Sequence, residues 1–221
     1  MKPTIVVTGA TGKTGAAVVA QLRARDTAVR AIVHSDDARS AALRSQGVDV
    51  VVADLFDVEQ LARALRGTQR AYYCPPWHPH MLDAAVGFAA AAREAKLEAI
   101  VGLSQWLASP THPSLATRQS WLVDQVFATM PGIAHTTVNP GFFADNYLRL
   151  IGFASQLGIF PMPLGVGRNA PPSNEDIARV VVGALLDPAR HAGKSYRPTG
   201  PALLDAREIA AVLQRVLGRR I

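Results

Sequence analysis

Over its first 140 residues the chain alternates short runs of Val, Ile and Ala with longer amphipathic stretches, and no other feature restricts its fold so strongly. The runs predict strands over Thr4–Val7, Ala28–Val33, Asp49–Val52, Arg70–Tyr73, Ala99–Leu103 and Ala134–Val138. The stretches between them predict helices near Thr14–Arg25, Asp37–Gln46, Asp57–Leu65, His80–Lys96 and Leu115–Met130, with Asp57 and Gln60 spaced as a capping pair. Strands that are apolar on both faces must be covered on both faces, which implies a parallel sheet between helical layers. Successive βα units therefore predict an α/β fold, a doubly wound parallel sheet of Rossmann type.

After Asn139-Pro140-Gly141 the sequence becomes rich in Pro and Gly, notably over Gly158–Pro172. It then offers a helix capped at Ser173, a short strand near Ser195–Arg197 and a last helix capped by Asp205 with Glu208. The expected division is a dinucleotide-binding domain over 1–140 and a small C-terminal substrate region over 141–221, laid over the carboxyl edge of the sheet.

The stretch TIVVTGATGKTG at the first strand–helix junction offers two phosphate-binding devices. Gly12-Lys13-Thr14 resembles the end of a P-loop, but a P-loop needs its first glycine where Val7 stands, inside the strand. Gly9, Gly12 and Gly15 instead fit a dinucleotide turn. In that arrangement one glycine turns the chain, one admits a pyrophosphate to the backbone, and one lets helix and strand pack closely. Thr11, Lys13 and Thr14 complete that candidate cofactor loop. The second strand ends in His34-Ser35-Asp36. His34, Ser35 and Arg39 suit a 2′-phosphate, whereas Asp36 suits free ribose hydroxyls, so the expected cofactor is NADPH with NADH as the alternative. Asp54 and Leu55 follow the third strand toward the adenine; Asp54 is equally suited to capping the next turn.

The net charge is +6, supplied almost wholly by arginines scattered singly along the predicted helices. Nucleic-acid binders concentrate such charge on one face, so direct nucleic-acid binding is not expected. The single cysteine, Cys74, excludes an intramolecular disulfide framework and fits a reducing cytoplasm. No signal peptide is evident before Thr4, and Asp83, Arg93 and Glu94 interrupt the most apolar helix, so no membrane span is expected.

The segments VTGATGKTG, VVADLFDVEQLARALRG, VGLSQW, NPGFFADN and EDIARVVVGALLDPARHAGKSYRPTGP together resemble the NmrA-like family of atypical short-chain dehydrogenases. They are most similar to its branch of NAD(P)H:quinone and azo-dye reductases, and the resemblance covers nearly the whole chain. It implies a further C-terminal piece beyond Ile221. Short-chain dehydrogenases pair a Ser with a later Tyr and a Lys four residues beyond the Tyr, the Lys lowering the pKa of the proton-donating hydroxyl. Ser104 occupies the Ser position, but Ala116 and Ser120 stand near the Tyr and Lys positions, and none of Tyr72, Tyr73, Tyr147 and Tyr196 has a Lys four residues on. Reduction of simple ketones to alcohols is thereby disfavoured. A quinone, whose reduced form is a stabilised phenolate, needs mainly proximity and orientation.

The remaining candidates lie at strand ends. Cys74, Pro75 and Pro76 follow the fourth strand as cofactor contacts, and Asn139 follows the sixth. Trp77, Gln105, Trp106, Phe142, Phe143 and Asn146 are substrate candidates; of the two adjacent Phe residues, one is expected in the core. Ser104, Tyr73 and His78 are candidates to polarise the acceptor. Cys74, His78 and His80 match no common zinc spacing, so no metal is expected. The sequence thus predicts a reductase taking a small aromatic or quinone substrate. The rival reading is an NAD(P)-binding redox sensor acting on a protein partner. The alanine-rich helices His80–Lys96 and Leu115–Met130 suit a homodimer interface or close packing within one chain.

Overall fold

The computed structural model describes residues 3–162 and 164–221. Its elements run β1 Thr4–Thr8, α1 Lys13–Arg23, β2 Ala28–Val33, α2 Ala38–Ser45, β3 Asp49–Val52, α3 Val58–Leu65, β4 Arg70–Tyr73, α4 Met81–Glu94, β5 Ala99–Leu103, α5 Leu115–Ala128 and β6 Ala134–Val138. There follow α6 Ala144–Tyr147, a 3-10 turn Leu148–Leu150, α7 Ile151–Leu157, α8 Asn174–Leu186, α9 Pro188–His191, β7 Ser195–Tyr196 and α10 Ala206–Leu217. The strands form one parallel sheet in the order β3-β2-β1-β4-β5-β6-β7. The order reverses between β1 and β4, and the crevice beyond their carboxyl ends is where a doubly wound sheet takes its ligand.

Alternation along each strand sends neighbouring side chains to opposite layers. Ile5, Val7 and Tyr72 join Val18, Leu22, Ile177 and Val181 under α1 and α8. Val6, Tyr73 and Ile100 join Leu61, Phe88 and Phe127 under α3, α4 and α5. The alanines of α4 serve packing within the chain: Ala84, Ala85, Ala91 and Ala92 are all buried. A Cβ on Gly87 would lie 3.1 Å from Val58 Cγ2, so glycine sets how closely α3 approaches α4.

The residues after 140 do not all lie over the carboxyl edge. The amphipathic α8, capped by Ser173 Oγ accepting from Asp176 N, packs against α1 as part of the first layer, and β7 extends the sheet. The buried Thr14 Oγ1 donates to Asn174 Oδ1 at 2.7 Å and ties the first helical turn of α1 to that of α8. Among the described residues, the segment around Tyr147, Ile209 and Leu213 has a small core of its own.

Candidate functional site

The glycine turn follows β1 because the chain must leave the sheet and enter α1 almost at once. Gly9 has φ +62, a left-handed conformation that glycine adopts without penalty. A Cβ on Gly15 would stand 2.1 Å from the Gly9 carbonyl oxygen, so helix and turn approach closely only with glycine there. Gly12 caps α1, and no side chain caps the helix start. The first-turn N–H groups, which have no partner within a helix, therefore face the crevice with the positive end of the helix dipole. Thr8 Oγ1 accepts from Cys74 N at 2.8 Å and locks this turn to the end of β4. The same burial pushes the Cys74 thiol up to about 11, leaving it an inert apolar filler.

The opposite wall is built from β5, β6 and α5. Ser104 is buried, and its Oγ donates to Asp124 Oδ2 at 2.6 Å. Burial holds the Asp124 carboxyl up at about 7, with the Ser104 hydrogen bond acting against that rise. Gln105 is held on both sides: its Nε2 donates to Ser120 Oγ at 3.0 Å, and its Oε1 accepts from Thr117 Oγ1 at 2.9 Å. Asn139 Nδ2 donates to the Gln105 carbonyl, and Ser195 Oγ donates to Asn139 Oδ1 at 2.6 Å. The helical stretch that carries Tyr and Lys in ordinary short-chain dehydrogenases here carries groups that immobilise Gln105.

Between these walls lies a cavity of about 1150 Å³. It brings together Gly9, Gly12, Lys13, Thr14, Gly15, Cys74, Pro75, Trp77, Ser104, Gln105, Trp106, Phe142, Phe143 and Asn146. Lys13 pairs with Asp145 at 2.8 Å across its mouth. Phe142 packs edge-on to Tyr147, whereas Phe143 packs against the core under α1 and α8. Arg197 lies 5.3 Å over the Trp106 ring and steadies it from outside. Trp77 is 80% exposed at the rim.

Other candidates lie elsewhere. Thr11, Pro76 and Asn139 are beside the cavity without lining it. His34, Ser35 and Arg39 lie exposed beyond β2, where Arg39 pairs with Asp37 at 2.7 Å. Asp36 accepts from Ser40 Oγ and from Arg44, which holds its carboxyl below the usual range. Asp54 Oδ1 accepts from Phe56 N, so it does cap the turn that carries Leu55. Tyr73 is not at the cavity. As the last residue of β4 it points into the layer under α4 and α5, wholly buried between Phe88 and Phe127 with its hydroxyl unpartnered, and it has no approach to an acceptor. His78 is exposed, stacked against Phe56 and His80 outside the cavity lining.

The profile of the NmrA-like family matches residues 1–221. The chain belongs to the NmrA-like family. Among relatives of this NmrA-like protein, the NAD(P)H azoreductase of Xenophilus azovorans is 33% identical over 218 residues, covering 98% of this chain and 75% of the azoreductase. The (4-alkanoyl-5-oxo-2,5-dihydrofuran-3-yl)methyl phosphate reductase of Streptomyces griseus is also 33% identical over 218 residues, covering 97% and 74%. The crystal structure of the NADPH-dependent quinone oxidoreductase of Escherichia coli, complexed with NADPH, superposes with a TM-score of 0.86 at 27% identity over 98% of this chain and 76% of the other.

Two site residues of this NmrA-like protein escape a reading by motif, Asp124 and Asn174. Asp124 falls on the stripe Ser120, Val123, Asp124, Phe127, all buried. A carboxylate on the apolar face of a helix was its only signal. Asn174 had none, because its partner Thr14 lies 160 positions away.

Proposed function

We propose that this NAD(P)H-dependent oxidoreductase reduces flat, electron-poor aromatic acceptors, quinones and azo compounds among them, within the cavity between the glycine turn and Trp106. One observation carries the reading: the uncapped start of α1 and the Ser104 hydroxyl open onto the same cavity. The crevice suits a dinucleotide, since Gly15 lets the start of α1 stand directly against the Gly9 turn and the helix start offers backbone donors there. Gly9, Gly12, Lys13, Thr14 and Gly15 would hold the pyrophosphate, and Cys74, Pro75 and Ser104 would border the nicotinamide. Bound there, the cofactor supplies the hydride.

The chain's own residues do the rest. Trp106 and Phe142 present aromatic faces to a flat acceptor, Ser104 polarises the acceptor atom that gains charge, and Gln105 is held still beside it. Asp36 is engaged by Arg44 and Ser40 and presents no free carboxylate to ribose hydroxyls, which supports NADPH over NADH; Arg39 would have to exchange its exposed partner Asp37 for a 2′-phosphate beside His34 and Ser35. Among these acceptors a quinone, whose reduced form stabilises its own charge, depends least on a proton donor in the absence of the Tyr–Lys pair, and a simple ketone gains least from the site. The test is cofactor oxidation with simple quinones, azo dyes and simple ketones in parallel. Turnover on ketones as fast as on quinones would contradict the acceptor assignment.

A further inference from the structure

Among the described residues Asp124 has no ion-pair partner; it is buried on the face of α5 that carries Phe127, and its hydrogen-bond partner Ser104 lines the cavity. Asp124 itself does not line the cavity. An oxygen–oxygen separation of 2.6 Å is hydrogen-bond contact both for a Ser104 hydroxyl donating to the carboxylate and for a protonated Asp124 donating to Ser104 Oγ, which is then free to donate its own proton into the cavity. A buried carboxyl with only a hydroxyl for company is costly as an anion, which favours its protonated form. We infer that Asp124 and Ser104 form a proton relay that stands in for the missing Tyr–Lys pair, Asp124 holding the proton that Ser104 delivers to the acceptor. The inference rests on the reductase reading above.

The relay balances as follows. When the acceptor's double bond takes hydride at one atom, its electron pair moves to the other atom, which takes the Ser104 hydroxyl proton. The Asp124 O–H bond breaks as its proton restores that hydroxyl, leaving a carboxylate. A solvent proton returns through Ser104 before the next turnover. Asp124 is a positioning and proton-holding residue; Ser104 is the group that touches the acceptor.

The surroundings keep the relay electrically quiet near pH 7. From β4, Tyr73 is pushed further up by burial and stays neutral. From β6, His135 is pulled down to about 4 by burial and is also neutral. From α4, Phe88 faces this layer, and on α5 itself Arg118 turns away to the His112 and Pro113 carbonyls. Burial therefore dominates, and it holds Asp124 near 7, where it can both keep and release a proton.

The relay also sorts acceptors. Hydride addition to an azo bond leaves a strongly basic nitrogen that needs a proton, whereas a quinone leaves a phenolate that does not. Asp124→Asn keeps the size and a hydrogen bond but holds no transferable proton. It should lower azo reduction about a hundredfold and quinone reduction less than tenfold. Wild-type azo reduction should fall as pH rises through about 7, while the variant's residual rate stays level. Ser104→Ala should give the same pattern by cutting the relay at the cavity, and it serves if Asp124→Asn folds poorly. Independently of turnover, the infrared carboxylic-acid stretch in the wild-type minus Asp124→Asn difference should vanish over that same pH range. A wild-type pH profile in Asp124→Asn, or a carboxyl ionised well below neutrality in the infrared, would overturn the relay. Failure of the reductase reading looks different: no acceptor is reduced by the wild type, while the infrared arm still reports Asp124.

Discussion

Asp124 and His135 sit in one layer of the fold and are shifted by burial in opposite directions, so they impose opposite slopes on stability against pH. The folded chain holds Asp124 at about 7 against an ordinary 3.8. Between those values the folded chain keeps a proton that the unfolded chain has lost. This contribution is full below pH 3.8 and is lost as pH rises through 7, by roughly 4 kcal/mol at about 1.36 kcal/mol per pKa unit. His135 is held at about 4 against an ordinary 6.5, so there the unfolded chain takes up the extra proton. That contribution is full above pH 6.5 and is lost as pH falls through 4, by roughly 3 kcal/mol. From about pH 4 to 6.5 the two slopes nearly cancel, and above that range only the Asp124 slope remains. Asp124→Asn removes one slope and exposes the other. Urea denaturation of both proteins at a series of pH values should show the wild type losing roughly 4 kcal/mol relative to the variant between about pH 4 and 7. Asp36, Asp37 and Asp57, held low chiefly by Arg44, Arg39 and the Gln60 backbone N–H, titrate in both proteins and drop out of the difference. Parallel stability curves for the two proteins would refute the assignment of a buried, protonated Asp124.

Three further outcomes are expected. Gly15→Ala forces a Cβ onto the Gly9 carbonyl, 2.1 Å away; it should cost about 1–3 kcal/mol of stability and weaken NADPH binding at least about tenfold, read by calorimetry on folded protein. Thr14→Val leaves the buried Asn174 amide oxygen unpaired, and thermal melts should show a loss of about 1–3 kcal/mol. Tyr73→Phe removes a buried hydroxyl with no partner; it should leave stability equal or higher by about 1 kcal/mol and leave turnover unchanged, whereas a large fall in turnover would restore Tyr73 to the chemistry.

The parts of the fold that were legible are those that local periodicity encodes. The first six strands, β1 through β6, match the Val- and Ile-rich runs to within a residue, because a strand buried on both faces leaves an uninterrupted apolar signature. The glycine turn was legible because φ and close approach leave glycine no substitute at positions 9 and 15. The place of α8 was not. Its amphipathic pattern shows that it packs on something, and only the three-dimensional fold shows that the something is α1. Tyr73 was misplaced for a related reason: position along the strand set it at the carboxyl edge, but alternation aimed its ring into the far layer. His78 sits in a turn whose direction no periodicity encodes. Asp124 was hidden because its hydrogen-bond partner is Ser104, 20 residues before it, and no spacing rule joins a strand end to the middle of the next helix.

The central claim is that the glycine turn and the Ser104 wall serve one redox reaction. The most direct test is loss of NADPH absorbance by the purified chain with a quinone and an azo dye, run beside a cofactor-binding titration and repeated with NADH. The account predicts many turnovers per chain, faster with NADPH. Tight cofactor binding with no turnover on either acceptor would contradict it and would favour a sensor that binds the dinucleotide without consuming it.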